Sequence, residues 1–146
     1  MSKLTYNTRL VFQNDLDKQK IIQMLEKARF AWNECSKVKF DRVSKNSIVD
    51  LHFAFYTKFR QSQPEIPSQI VIRAEQAVLS SFRSIKSNKQ IIDKPPQKKK
   101  LSLQLDKRIY SYKNGIFSLV SLDKRVKCAP YIYPKLQELL SKYRFC

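Results

Sequence analysis

Lysine and tyrosine side chains are concentrated in residues 94–113, and both types can contact a polyanion. Lysine and arginine bind phosphates through their charge, and a tyrosine ring can stack on an unpaired base. Tyr110 and Tyr112 alternate along a predicted strand and share one face, which is either a stacking platform or a core layer. The alternative for the lysines is a solvated connector. We predict base stacking by both tyrosines and phosphate contacts by Arg9, Lys94, Lys98, Lys99, Lys100, Arg108 and Lys113.

The charge of the whole chain favours a polyanionic partner. Its 146 residues include 29 Lys and Arg against 12 Asp and Glu, which gives a formal net charge of +17. Such an excess is self-repulsive unless a polyanion neutralises it, and nucleic acid is the usual polyanion for a basic protein. The rival is an anionic membrane, but the sequence has neither an apolar run of about 18 residues nor a signal-peptide core. We expect a cytoplasmic protein with RNA or DNA as partner and no membrane.

The residue types that most enzymes need are rare or scattered in this sequence. A single glycine, Gly115, excludes the phosphate-binding loops that depend on several glycines. A single histidine, His52, has no second histidine for a metal site or an acid–base pair, so we expect it to be structural. The carboxylates are not clustered as two-metal nucleases require. The three cysteines lack CxxC spacing and are expected to be buried or incidental thiols. We expect no catalytic residue, no metal, no cofactor and no enzymatic activity.

Hydrophobic periodicity predicts the elements that position the basic residues. Alternation predicts a strand over residues 4–12, and apolar residues spaced by three and four predict a helix over about 16–41. A second helix begins after Ser47, and a third begins at Ser68 after two prolines. The first half of the chain is therefore a strand followed by helices.

The second half of the chain has the patterns of strands. The prolines and lysines of residues 94–100 form a connector, and alternating leucines predict a strand over residues 101–105. Asn114 and Gly115 lie between two alternating runs, which is a strong signal of a β-hairpin. Residues 133–143 are predicted to form a short amphipathic helix.

This order of elements predicts an α+β fold. One strand is not stable alone in water, so the N-terminal strand should pair with strands that follow residue 100. We predict a small, OB-like β-barrel from residues 1–13 and 92–146, with residues 14–91 as a three-helix insertion. Trp32 and Phe82 should both belong to the helical core. A small barrel with a basic rim is a common platform for nucleic acid.

Four short segments carry a resemblance to a known family. They are residues 8–10 (TRL), 28–33 (ARFAWN), 67–69 (PSQ) and 96–100 (PQKKK). In this order and spacing they resemble the N-terminal part of TnpB, the transposon-encoded RNA-guided DNA nucleases related to type V CRISPR effectors. The likeness extends over nearly the whole sequence.

The resemblance implies a wedge-like barrel and a helical recognition lobe. It also implies that the third helix faces the groove of a duplex, through Ser68, Gln69 and Arg73. Two positions depart from the family pattern, since Gln97 replaces an arginine of the connector and Ile72 replaces a glutamine. The catalytic Asp and Glu residues and the zinc ribbon of the family belong to a following nuclease half, so the matched part implies no nuclease activity.

The leading hypothesis is a non-catalytic protein that binds guide-type RNA, DNA or both. A first alternative is a regulatory protein that docks on, or competes with, a full-length RNA-guided nuclease or transposase. A second is a truncated or split transposon nuclease that is completed in trans. A third is an unrelated basic binder, such as a ribosome-associated protein.

Overall fold

A computed structural model of the chain describes residues 7–142, which form four helices and four strands. The elements in chain order are β1 (Leu10–Phe12), α1 (Asp15–Arg42), α2 (Ile48–Ser62), α3 (Ser68–Ser87), β2 (Tyr110–Lys113), β3 (Ile116–Leu119), β4 (Val126–Pro130) and α4 (Pro134–Lys142). This composition confirms the α+β class. The predicted start of the first strand, residues 4–6, and the predicted end of the last helix, Tyr143, lie outside the described residues.

Side-chain caps explain where two of the helices begin. The Asn14 side chain accepts a hydrogen bond from Asp17 N at 2.8 Å before α1. The Ser47 hydroxyl accepts one from Asp50 N at 3.4 Å before α2. The predicted bounds of 16–41 for the first helix agree with the observed helix to one residue at each end. Sequence patterns therefore locate the helices closely.

The strands form one antiparallel sheet in the order β1-β4-β3-β2. The first strand pairs with the last, with Leu10 opposite Pro130 and Phe12 opposite Cys128. This confirms that the N-terminal strand pairs with strands after residue 100. The β2–β3 hairpin turns at Asn114 and Gly115, whose φ angles of 53° and 77° are both positive, as the predicted tight turn requires.

Two expectations about the sheet are corrected. Within the described residues the sheet is open, with β1 and β2 as its edges, and it is not closed into a barrel. Four short strands are too few to curl until the edges meet, since small barrels use five or more. The predicted strand over 101–105 is absent, because this segment follows a stretch that lies on α1. The Ser102 carbonyl accepts from the Lys98 ammonium, at 2.7 Å, instead of a neighbouring strand.

The helices and the sheet share one continuous hydrophobic core. Trp32 belongs to it, Phe82 packs against it half-buried, and Leu119 and Val126 contribute from the sheet. The α1 helix packs against α3 and α2 and also against β4 and β1. The helical insertion is thus fixed to the sheet by shared burial, so groups on both parts can be held in one geometry.

Two of the cysteines, Cys35 and Cys128, are free thiols buried in this core. Burial raises the pKa of both thiols, and the charge of Glu75 raises that of Cys35 further. Their burial confirms the prediction of buried thiols for these two, and the raised pKa disfavours the reactive thiolate. Cys146 lies outside the described residues.

Candidate nucleic-acid interface

Residues 96–106, which we call the anchored segment, are bound to α1 near their start, through backbone atoms of Pro96, Lys98 and Lys99. Asn33 makes two hydrogen bonds with Lys98: its Oδ1 accepts from Lys98 N at 2.7 Å, and its Nδ2 donates to Lys98 O at 3.2 Å. A side-chain amide can satisfy both backbone groups of one residue, as a neighbouring strand would. The connector is therefore held against the helix.

Two further side chains of α1 extend this attachment. Arg29 Nη1 donates to Lys99 O at 3.0 Å, and Ser36 Oγ donates to Pro96 O at 2.7 Å. Arg29, Asn33 and Ser36 are spaced by four and three, so they lie on one face of the helix. The lysine connector is therefore attached to α1, unlike the solvated and unattached connector of the alternative interpretation.

The three lysines of the connector differ in their surroundings. Lys98 is half-buried and its ammonium donates to Ser102 O, and the loss of hydration lowers its pKa. Lys99 and Lys100 are exposed. Among residues 7–142, no carboxylate lies within ion-pair distance of either ammonium. Lys99 and Lys100 are therefore the better candidates for phosphate contact, and Lys98 already has a partner in the protein.

The far end of the anchored segment is bound to the first turns of α3 through Asp106. Gln69 Nε2 donates to Asp106 Oδ2 at 2.6 Å, and Arg73 Nε lies 4.0 Å from the same oxygen. Arg108 Nη1 donates to Gln69 Oε1 at 3.1 Å. The other carboxylate oxygen accepts from the backbone N–H groups of Arg108 and Ile109 at 2.9 and 3.3 Å. This Asp106 cluster joins the helical insertion to the start of β2.

The Asp106 cluster is cationic. Burial acts to raise the pKa of Asp106, but the hydrogen bonds from Arg108 N, Gln69 and Ile109 N and the charge of Arg73 lower it below the ordinary value. The ionised carboxylate lies beside the Arg73 guanidinium, and the Arg108 guanidinium is bound to Gln69, so the cluster has one positive charge in excess. The cluster unites Gln69 and Arg73, predicted to face a groove, with Arg108, predicted to contact phosphate. Ser68 is exposed beside them, at the first position of α3.

The tyrosines of β2 point to the core side of the sheet. Tyr110 lies opposite Leu119 and packs against the core, and Tyr112 lies opposite Phe117 with ring centroids 4.6 Å apart. Both tyrosines are half-buried. The structure thus favours the core-layer alternative over the predicted stacking platform. Lys113 is exposed at the end of the same strand.

The remaining predicted phosphate contacts, Arg9 and Lys94, are exposed and lie outside the anchored segment and the Asp106 cluster. The Arg9 guanidinium sits 4.4 Å from the centroid of the Tyr131 ring, and Arg9 O accepts from Tyr131 N at 2.8 Å, beside the sheet edge. Lys94 lies in the loop after α3. Neither residue touches the Asp106 cluster through a hydrogen bond or an ion pair.

Sequence reasoning missed the roles of Asn33, Asp106 and Glu75. Glu75 is 1% exposed, and its Oε2 is 2.9 Å from Nδ1 of His52, which stacks on Tyr56. Burial raises the pKa of Glu75 above its ordinary value, although the hydrogen bond and the charge of His52 act to lower it. His52 thus has the structural role predicted for it. For Asp106 a signal was available, since aspartate often accepts from backbone two and three residues on.

The fold and the site describe a basic α+β protein with a fixed cationic segment. Residues 7–142 contain no group of three or more His, Cys, Asp or Glu side chains that could hold a metal ion, and none of their helices could cross a membrane. No family model, curated protein or solved structure matches the chain.

Proposed function

We propose that this chain is a non-catalytic nucleic-acid-binding protein that contacts the phosphates of guide-type RNA, DNA or both. The anchored segment is the observation that carries the proposal. Its backbone is bound by Asn33, Arg29 and Ser36, and the Lys99 and Lys100 side chains remain exposed. A cationic segment that is already ordered loses less conformational entropy on binding than a free tether.

The excess of positive charge supports the same proposal. The chain carries a net charge of +17, and the described ion pairs of carboxylates with lysine or arginine involve only Lys20, Lys27, Lys37, Arg73 and Lys142. The proposed phosphate contacts outside these pairs are Lys99, Lys100, Arg108 and Lys113, together with the exposed Arg9 and Lys94. The proposed partners are nucleic acids in the cytoplasm.

We also propose a relationship to the N-terminal module of TnpB-type proteins. Two of the four similar segments contact each other, since Arg29 and Asn33 of ARFAWN bind the backbone of PQKKK. Gln69 of PSQ binds Asp106, which lies at the far end of the anchored segment and outside PQKKK. The fourth, TRL, ends at β1, which pairs with the last strand of the sheet. Motifs that contact one another in three dimensions support a shared architecture better than motifs that are merely in the same order.

The proposal is tested by fluorescence anisotropy with the full chain and three labelled probes: a structured RNA, a DNA duplex and a polyphosphate of equal charge. We expect at least one nucleic acid to bind more tightly than the polyphosphate, with an affinity that falls as salt rises. Incubation with Mg²⁺ or Mn²⁺ should leave both nucleic acids uncut. Equal binding of all three probes, or no binding at low salt, would contradict the proposal.

A further inference from the structure

The most exposed aromatic ring within residues 7–142 lies on α2 and not on the sheet. Phe53 is 82% exposed, whereas Tyr110 and Tyr112 are half-buried on the core side. Exposing a phenyl ring to water is unfavourable in proportion to the apolar surface that it exposes. An exposed ring of this size therefore marks a surface that can gain from being covered.

A cleft of about 490 Å³ lies beside Phe53, between the end of α1 and the start of α2. The cleft is a groove that is open to solvent and not an enclosed cavity. Arg42, Lys45 and Asp50 contribute the charged groups of its lining. Within residues 7–142 no ion pair engages Arg42 or Lys45, so the cleft has one positive charge in excess.

We propose that this cleft binds one unpaired nucleotide of a bound RNA or DNA strand, with the base stacked on Phe53 and the phosphate held by Arg42 and Lys45. The inference rests on the proposed function and adds a second kind of contact to it. A ring flanked by cations is complementary to a base flanked by phosphates. Because Asp50 repels phosphate, the backbone of the bound nucleic acid should pass beside Arg42 and Lys45.

The charges around the cleft limit the site to one nucleotide. A second cleft, of about 260 Å³, continues from Arg42 between α1 and α2. Apart from Arg42, which lines both clefts, its cations Lys37 and Lys58 are accompanied by Glu34 and Asp41, and Lys37 is paired with Glu34 at 2.6 Å. The charged residues that belong to the second cleft alone therefore carry no net charge, which does not favour a second phosphate.

Replacement of Phe53 tests the inference with two labelled oligomers of ten nucleotides, oligouridylate and its abasic equivalent. Phe53→Ala should weaken the binding of oligouridylate about tenfold, as expected for the loss of one stacked base, and leave abasic binding unchanged. Phe53→Trp should retain the affinity and show quenched indole fluorescence on binding. Val49→Ala, which truncates a 57% exposed apolar residue of the same helix, is the matched control and should bind as the wild type.

The outcomes that overturn the inference differ from those that overturn the proposed function. Wild-type binding of oligouridylate by Phe53→Ala would show that the cleft holds no base and would leave a protein partner as its occupant. Equal weakening of both oligomers, or full affinity in Phe53→Leu, would show that Phe53 does not stack. In each case the protein still binds nucleic acid. If the wild-type protein binds no nucleic acid, the proposed function fails and this inference fails with it.

Discussion

The anchored segment and the β2–β3 hairpin are close in sequence, yet they present their side chains in opposite ways. In the anchored segment, side chains of α1 bind the backbone, so Lys99 and Lys100 are left exposed. In the hairpin, strand pairing binds the backbone, and the pleat turns Tyr110 and Tyr112 to the core. The partner of the backbone therefore decides which side chains remain available to a ligand, and composition alone does not.

The largest effect that tests the contrast between the anchored segment and the hairpin is expected at Tyr110. Tyr110→Ala should lower the free energy of unfolding by about 2–3 kcal/mol, because it removes a half-buried ring from the core layer. Its nucleic-acid affinity, measured where the protein is folded, should stay at the wild-type value. Urea unfolding and anisotropy measure the two quantities.

Ser111→Ala is the control, because Ser111 is exposed on the other face of the same strand. It should change the free energy of unfolding by less than about 0.5 kcal/mol. A Tyr110→Ala protein that keeps its stability but loses affinity would instead make Tyr110 a stacking residue and remove the contrast between the two regions.

A second, smaller effect is expected at Asn33. Asn33→Ala breaks both hydrogen bonds to Lys98 and should cost about 1–2 kcal/mol of stability. Trypsin should then cut after the connector lysines faster, and nucleic-acid affinity should fall although no charge has been removed. Gln23→Ala, at an exposed position of α1, is the matched control. If the connector of Asn33→Ala is cut no faster than that of the control, Asn33 does not hold it.

The smallest effect concerns the pH dependence of the Asp106 cluster. The pKa of Asp106 is lower in the folded chain than in the unfolded one, so its contribution to stability is complete above the unfolded pKa. The contribution is lost as the pH falls through the folded pKa. Stability curves between pH 6 and pH 3 should therefore drop less steeply for Asp106→Asn than for the wild type. Parallel curves for the two proteins would contradict the hydrogen-bonded, ionised carboxylate.

Sequence patterns predicted the elements better than they predicted the surroundings of single side chains. Caps and periodicity located α1 and α2, and Asn114–Gly115 gave the hairpin, because these signals are local. The strand predicted from the alternating leucines at 101–105 was wrong, because alternation does not reveal whether a segment has a strand beside it. Only Leu103 of these leucines packs against the core.

The attachments of the site depend on contacts between residues that are far apart in sequence. Asn33 and Lys98 are 65 positions apart, and Gln69 and Asp106 are 37 apart. No periodicity in the sequence connects such pairs. The hydrogen bonds between these segments follow only from the packed helices and sheet.

The most direct test of the anchored segment as a phosphate-binding surface is the salt dependence of RNA affinity in two double variants. Lys99→Ala with Lys100→Ala removes two exposed charges, and Lys20→Ala with Lys37→Ala removes two charges that are paired with Asp123 and Glu34. The net charge of the chain changes equally in both. The slope of log K against log salt concentration should become shallower by about 1.4–1.8 for the first variant and stay unchanged for the second. Equal slopes for the two variants would show that RNA responds to total charge only and that the anchored segment is not its binding surface.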